Sequence, residues 1–198
     1  MENMAIACLV AYLLGSIPNG LVFGKLIWHV DLREHGSHNI GATNAWRTLG
    51  KGPGFLIFLL DFLKGALSVW LGSLLVGTPL AMVLAGVLAI VGHSCSLFLK
   101  FKGGKGVATG LGVIVMMMPL PALIVFLVWL AIVKVSGYVS LGSIVAAALV
   151  PILAWQSGYP LEYIGFGVLA AAFIIIRHHA NIARLLHGTE SKIKAGHR

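Results

Sequence analysis

Long apolar runs separated by short polar turns make up most of the chain. Predominantly apolar residues occupy positions 4–28, 55–76, 80–99, 107–118, 123–135, 139–155 and 161–176. The longer runs approach the roughly 20 residues that an α-helix needs to cross a bilayer. Gly15-Ser16-Ile17-Pro18-Asn19-Gly20 interrupts the first run and predicts a kink or break there. Residues 107–118 are short for a span, and Pro119 and Pro121 separate them from 123–135. The two pieces read as two short spans or as one re-entrant hairpin, and either returns the chain to the side it left. The longest polar stretch between runs is 30–53. The tail, 177–198, predicts a short amphipathic helix with Ile182, Leu185 and Leu186 on one face. The expected fold is all-α: a polytopic integral membrane protein of about seven transmembrane helices, forming one membrane-embedded domain over 1–198.

Composition agrees, with 59% apolar residues, 10% charged residues and a mean hydropathy of +0.96. The first basic residue, Lys25, follows the first apolar run, so no cleavable signal peptide is expected. Cys8 and Cys95 fall inside apolar runs and read as small core residues. Charge sets the orientation. When seven segments are threaded through a bilayer, all but Lys64 of the fourteen lysines and arginines lie on one side. The positive-inside rule makes that side cytoplasmic, with the N-terminus outside and the C-terminus inside. Trp155, Tyr159 and Tyr163 are then expected in the outer aromatic belt. The net charge of +8 is scattered through loops, which argues against nucleic acid and for an anionic small molecule or the lipid surface. The second, fourth and sixth segments also start on the basic side, so their positive dipole ends favour an anion there.

Candidate chemistry gathers at that face. In 100–106, three lysines and three glycines occupy seven residues, and an apolar run begins at Val107. Gly103, Gly104 and Gly106 with Lys105 suit a phosphate; the alternative is a cationic turn facing lipid headgroups. The stretch is not a P-loop, because Leu99 and Gly106 stand where that motif requires Gly and Ser or Thr. In Gly36-Ser37-His38-Asn39-Ile40-Gly41-Ala42-Thr43-Asn44, either Thr43 or Asn44 caps a helix, or Ser37, Asn39 and nearby Arg47 donate to a ligand. His93 reads as a general base or as a loop-packing residue. His178 and Asn181, three apart, read as site residues or as the wet face of an interfacial helix. Asp61 and Lys64, also three apart, are expected to form a buried structural pair. His35, His38 and His179 lack the partners of a metal site, and His29, His187 and His197 read as solvated. No metal and no cofactor is expected. Besides an enzyme, a small anion transporter and a structural membrane subunit fit the class. The polar clusters crowd one face without an internal repeat, unlike the midplane sites of transporters.

Together these pieces resemble one family, the bacterial acyl-phosphate:glycerol-3-phosphate acyltransferases. The matching stretches are Gly15-Ser16-Ile17-Pro18 with Gly20, and Asp31-Leu32-Arg33 followed by Gly36-Ser37, Asn39 and Gly41-Ala42-Thr43-Asn44. Asp61-Phe62-Leu63-Lys64-Gly65, Gly92-His93, Phe101-Lys102-Gly103-Gly104-Lys105-Gly106-Val107-Ala108-Thr109 and Tyr138-Val139-Ser140-Leu141 with Ser143-Ile144 come next. The last is Arg177-His178 with Asn181-Ile182, Arg184-Leu185-Leu186, Gly188 and Glu190. Two departures are visible: His179 replaces a usual basic residue, and Ser96 a common proline. The resemblance implies a bacterial inner-membrane enzyme whose cytoplasmic site moves a fatty acyl group from acyl phosphate to the 1-hydroxyl of sn-glycerol 3-phosphate. Lysophosphatidic acid and phosphate would be the products. It implies that Gly103, Gly104 and Gly106 with Ser37 and Ser143 cradle the acyl phosphate, and that Arg47 and Lys105 clamp the glycerol phosphate. Lys105, His178 and Asn181 are the expected catalytic residues, the last two orienting the attacking hydroxyl, and the acyl tail is expected between helices.

Overall fold

A computed structural model describes residues 1–193, and among them every regular element is helical. His197, read above as solvated, lies outside the described residues. The first apolar run is two helices, α1 (Glu2–Ser16) and α2 (Asn19–Trp28), bent by 41°. Pro18 has no N–H for the Leu14 carbonyl, and the chain breaks there, so the Ser16 and Ile17 carbonyls at the end of α1 are left without i+4 helical donors. Side chains replace them: Ser96 Oγ donates to the Ser16 carbonyl at 2.6 Å and Lys64 Nζ to the Ile17 carbonyl at 2.8 Å. Ser96, the departure from the family pattern, thus serves the break.

The polar stretch contains a helix that its apolar pattern did not announce, α3 (Ala42–Leu49), followed by α4 (Lys51–Leu75). The expected Asp61–Lys64 pair forms within α4 at 3.0 Å, with the two residues only 2% and 5% exposed. Asn19 Nδ2 donates to Asp61 Oδ1 at 2.9 Å, so the pair ties α4 to the start of α2. Next come α5 (Pro79–Ser94), a 3-10 turn (Leu97–Leu99), α6 (Val107–Met117), α7 (Pro119–Ser136), α8 (Val139–Gln156), α9 (Leu161–Arg177) and α10 (His179–Leu186).

Four helices are individually long and apolar enough to cross a membrane: α4, α5 with its 3-10 turn, α7 and α8. The bent pairs α1–α2 and α9–α10, the latter turned by 60°, raise that to six, and α6 is a shorter apolar helix. At 1.5 Å per residue, α6 is about 16 Å long, roughly half a hydrocarbon core. α6 and α7 turn back on each other at Met118-Pro119: Lys105 before α6 and Gly137 after α7 both contact the tail. Both ends of the α6–α7 pair therefore lie on one side, as either two short spans or a re-entrant hairpin requires.

Small residues let the helices approach closely, as in membrane interiors. A Cβ on Gly15 or Gly92 would strike the facing backbone where α1 crosses α5; Gly65 and Gly112 play the same part for α4 and α6. The core gathers Val69, Val113, Met117, Met118, Ala122 and Phe166, while Leu9, Leu67, Leu74 and Leu123 point outward as lipid-facing residues do. Tyr163 leaves its expected place in the aromatic belt: it is buried, and its hydroxyl donates to Met82 Sδ at 3.1 Å. Cys8 and Cys95 are free and half-buried rather than core residues.

Candidate active site

Three polar segments meet at one end of the bundle. The first is the loop before α3, organised by Asn44. Asn44 is not an N-cap, a position held by Gly41 without a side-chain bond. It reaches back instead: its Nδ2 lies within 3.0 Å of the Leu32, His35 and Asn39 carbonyls, and its Oδ1 accepts from the Ser37 N–H at 2.9 Å. Gly36, at φ +59°, passes over Asn44 Oδ1, leaving no room for a Cβ. Asn39 Oδ1 accepts from the Gly41 N–H at 2.8 Å. α3 then carries Arg47 inward, where Nη2 donates to the Ser191 carbonyl at 2.6 Å and Nε is buried without a partner among the described residues.

The second segment is the glycine–lysine loop. Gly103 and Gly104 lie against His93, where a Cβ on either would collide with its backbone or ring; the Gly104 N–H donates to the His93 carbonyl at 3.1 Å. Arg177 Nη2 holds the Gly103 and Gly104 carbonyls at 3.1 and 3.0 Å. Thus His93 packs the loop, and its Nδ1 stands 3.7 Å from Asp61 Oδ1. Gly106, in the left-handed region at φ +82°, turns the chain into α6. The first-turn N–H groups of α6, which lack intrahelical acceptors, then border the cavity at Val107 and Ala108. Lys105 Nζ donates to Asn181 Oδ1. Burial brings its ammonium down to about 8; Glu190 opposes that, while Arg184, Arg47 and Arg177 add to it.

The third segment is the tail, which folds back over the site. Glu190 Oε1 accepts from Asn181 Nδ2 at 2.7 Å and Ser140 Oγ at 2.8 Å, and its Oε2 from Arg184 Nε at 2.7 Å. Burial alone would raise the Glu190 carboxyl, but these donors outweigh it and hold it below the usual range. The Ile193 N–H closes the strap on the Gly137 carbonyl at 2.9 Å. α10 is the expected amphipathic helix: Asn181 is buried toward the site, and Leu186 is exposed on the outside like the lipid-facing leucines of the bundle. His178, at the break between α9 and α10, sits with Nδ1 2.8 Å from the Ile174 carbonyl. A carbonyl only accepts, so Nδ1 carries the proton and Nε2 is left as an acceptor. Burial brings the His178 imidazole down to about 4, so it is neutral at pH 7.

These segments enclose a cavity of about 550 Å³. Its mouth is polar, with Ser37, Asn39, Arg47, Lys105, Gly106, Ser143, His178 and Asn181, and Asp61 and His93 also line it. Its interior is apolar, walled by Leu111, Ile114, Phe126, Ala147, Val150 and Phe166 among others. Most expected site residues therefore meet. Gly103 and Gly104 are not among the residues lining the cavity: they are packed on His93, the reason glycine is needed there. Ser143 lines it, but its hydroxyl already donates to the Val139 carbonyl at 2.9 Å, so it offers lone pairs rather than a hydrogen. Glu190, Ser140 and Arg177 escaped the residue-by-residue reading, although all stood in the matching motifs. Among the described residues no group of three or more His, Cys, Asp or Glu side chains is placed to hold a metal ion.

The glycerol-3-phosphate acyltransferase family model matches residues 5–188. Glycerol-3-phosphate acyltransferase 2 of Moorella thermoacetica is 50% identical over 188 residues, covering 95% of this chain and 96% of that protein. The glycerol-3-phosphate acyltransferase of Desulforamulus reducens is 48% identical, with 92% of each covered. The crystal structure of PlsY, an integral membrane glycerol 3-phosphate acyltransferase, in its glycerol 3-phosphate form matches with a TM-score of 0.92 at 44% identity, over 96% of this chain and 94% of that one. With the polar mouth, the apolar interior and the membrane fold in agreement, the chain belongs to the glycerol-3-phosphate acyltransferase family.

Proposed function

We propose that this glycerol-3-phosphate acyltransferase draws its acyl group from an acyl phosphate, acylates the 1-hydroxyl and releases lysophosphatidic acid and phosphate. The observation that carries this reading is one cavity with a cationic, N–H-rich mouth and an apolar interior. Two phosphates and one hydrocarbon tail need both parts at once. A crystal form of PlsY with lysophosphatidic acid, 42% identical to this chain with a TM-score of 0.89, supports the product. The charge asymmetry supports a bacterial inner membrane with the mouth on the cytoplasmic face, where a soluble glycerol phosphate arrives.

In this reading Arg47 and Lys105 hold the glycerol phosphate, and Ser37, Asn39 and the first turn of α6 hold the acyl phosphate. His178 Nε2 accepts from the 1-hydroxyl, and Asn181, steadied by Glu190, keeps the acceptor and Lys105 in register. The hydroxyl oxygen attacks the acyl carbonyl carbon, the carbon–oxygen bond to phosphate breaks, and phosphate departs. The hydroxyl proton moves along the His178 hydrogen bond and is finally carried away by the departing phosphate, whose second pKa is about 6. The donor is already activated, leaving positioning and charge stabilisation as the protein's tasks.

The test offers purified protein acyl phosphate, acyl-CoA or acyl carrier protein with labelled glycerol 3-phosphate. Lysophosphatidic acid is expected from acyl phosphate alone, and equal rates from a thioester overturn the donor assignment. A pH series provides a second check. The Lys105 ammonium, depressed to about 8, is charged below that pH and lost above it. The apparent KM for glycerol 3-phosphate is therefore expected to hold from pH 7 to 8 and then to climb about tenfold per further pH unit. A KM that stays flat to pH 9.5 in wild type removes Lys105 from the phosphate.

A further inference from the structure

The geometry points to a chain-length stop built into the bundle: Phe166, with Val150, Val125 and Ile114, floors the apolar slot and limits the acyl chain to about 16 carbons. The inference rests on the acyl-transfer reading of the cavity, but not on which activated donor brings the chain.

On α6, α8 and α9 the lining residues run from the polar mouth to Ile114, Val150 and Phe166, and none of these helices lines the cavity beyond them. On α9 the stripe is His178, Ile174, Ala170 and Phe166, one face at a spacing of four. On α8 it runs from Ser140 through Ala147 to Val150, and on α6 from Gly106 to Ile114. Phe166, Val125, Val150 and Ile114 are 1%, 2%, 6% and 6% exposed. Below them Met117, Met118, Ala122 and Ala154 are buried in the core and do not border the cavity, so the slot is blind. Small side chains keep its waist open: Ala146, Ala147, Ala170 and Ala171, with Gly110 opposite.

The depth follows from the helices. From His178 to Phe166 is twelve residues, about 18 Å at 1.5 Å each. An extended chain advances about 1.2 Å per bond, so about 15 bonds fit between the reacting carbonyl and the Phe166 ring. A longer chain must fold up, displace Phe166, or leave sideways between Phe58 and Phe126. Those two residues also line a shallow groove on the lipid side of α4 and α7.

The experiment gives the enzyme an equimolar mixture of saturated acyl phosphates spanning that length and analyses the lysophosphatidic acids by mass. Binding of lysophosphatidic acids of the same lengths is measured separately. Wild type is expected to lose about tenfold or more in kcat/KM per methylene beyond the stop. Phe166→Ala is expected to move the cut-off to longer chains and Ala147→Leu, which fills the waist, to shorter ones; the second variant decides the matter if the first does not fold. Equal use of long chains by wild type means that the tail exits sideways and overturns the stop, as does an Ala147→Leu protein with wild-type length preference. If acyl phosphate yields no product at any length, the donor assignment has failed. The binding series then decides the stop by itself: affinity that keeps rising with length overturns it, and a maximum that shifts in the variants supports it.

Discussion

Lys105→Ala, correctly inserted and matched for protein level, is expected to lose between about 100-fold and 1,000-fold in kcat/KM for glycerol 3-phosphate. That range is the cost of removing one charged donor from a preorganised site closed to water, about 2.7–4 kcal/mol. Lys105 fits that description: half-buried at the cavity mouth, bonded to Asn181 and surrounded by Arg47, Arg177 and Arg184. The loss should fall on KM and kcat together, because in the proposed mechanism the same ammonium positions the acceptor and offsets charge as phosphate leaves. Lys105→Arg should restore part of the activity and abolish the rise in KM above pH 8, since guanidinium stays protonated there. A Lys105→Ala enzyme working at wild-type rate would end the central role given to this residue. Lys100 and Lys102 provide the internal control. Both are exposed and outside the cavity lining, so replacing either is expected to change the rate by less than about twofold.

Asp61→Ala is expected to cost about 3–5 kcal/mol of stability, the penalty for leaving a buried charge without its partner. Here the abandoned group is Lys64, 5% exposed, whose remaining bond is to the Ile17 carbonyl. Asn19 and His93 lose a neighbour at the same stroke, so the break in the first span and the floor beneath the glycine–lysine loop should loosen together. Thermal unfolding in detergent measures the first effect. The double change Asp61→Leu with Lys64→Met should recover much of the stability, because it removes both charges instead of orphaning one. Recovery of stability without recovery of activity would show that the pair also supports the site. An Asp61→Ala protein as stable as wild type would contradict the structural role.

How far the amino-acid pattern reveals this architecture depends on the range of each interaction. Hydropathy exposes the apolar segments because lipid acts on every residue of a span. Pro18 announces the first break locally, and the i, i+3 spacing of Asp61 and Lys64 announces their pair. α3 has eight residues of mixed polarity and no apolar run to mark it. Glycine signals that something passes close, not what: at 103 and 104 the sequence suggested a phosphate, whereas the neighbour is His93. The strap was least legible, since Arg47 and Ser191 stand 144 positions apart and Glu190 is a lone carboxylate in a polar tail. Nothing local distinguishes such a carboxylate from a solvated one.

That strap also makes the site depend on residues that cross no membrane. Glu190 and Ser191 follow every described apolar segment in the chain. Without them Asn181, Ser140 and Arg184 lack their shared acceptor, and Arg47 lacks the carbonyl that holds it. A chain truncated ahead of Glu190 is expected to insert and yet to lack the contacts that hold Arg47, Asn181 and Arg184 at the mouth. Membrane insertion and assembly of the site are thus separable, the first resting on the apolar segments and the second on a polar strap outside them.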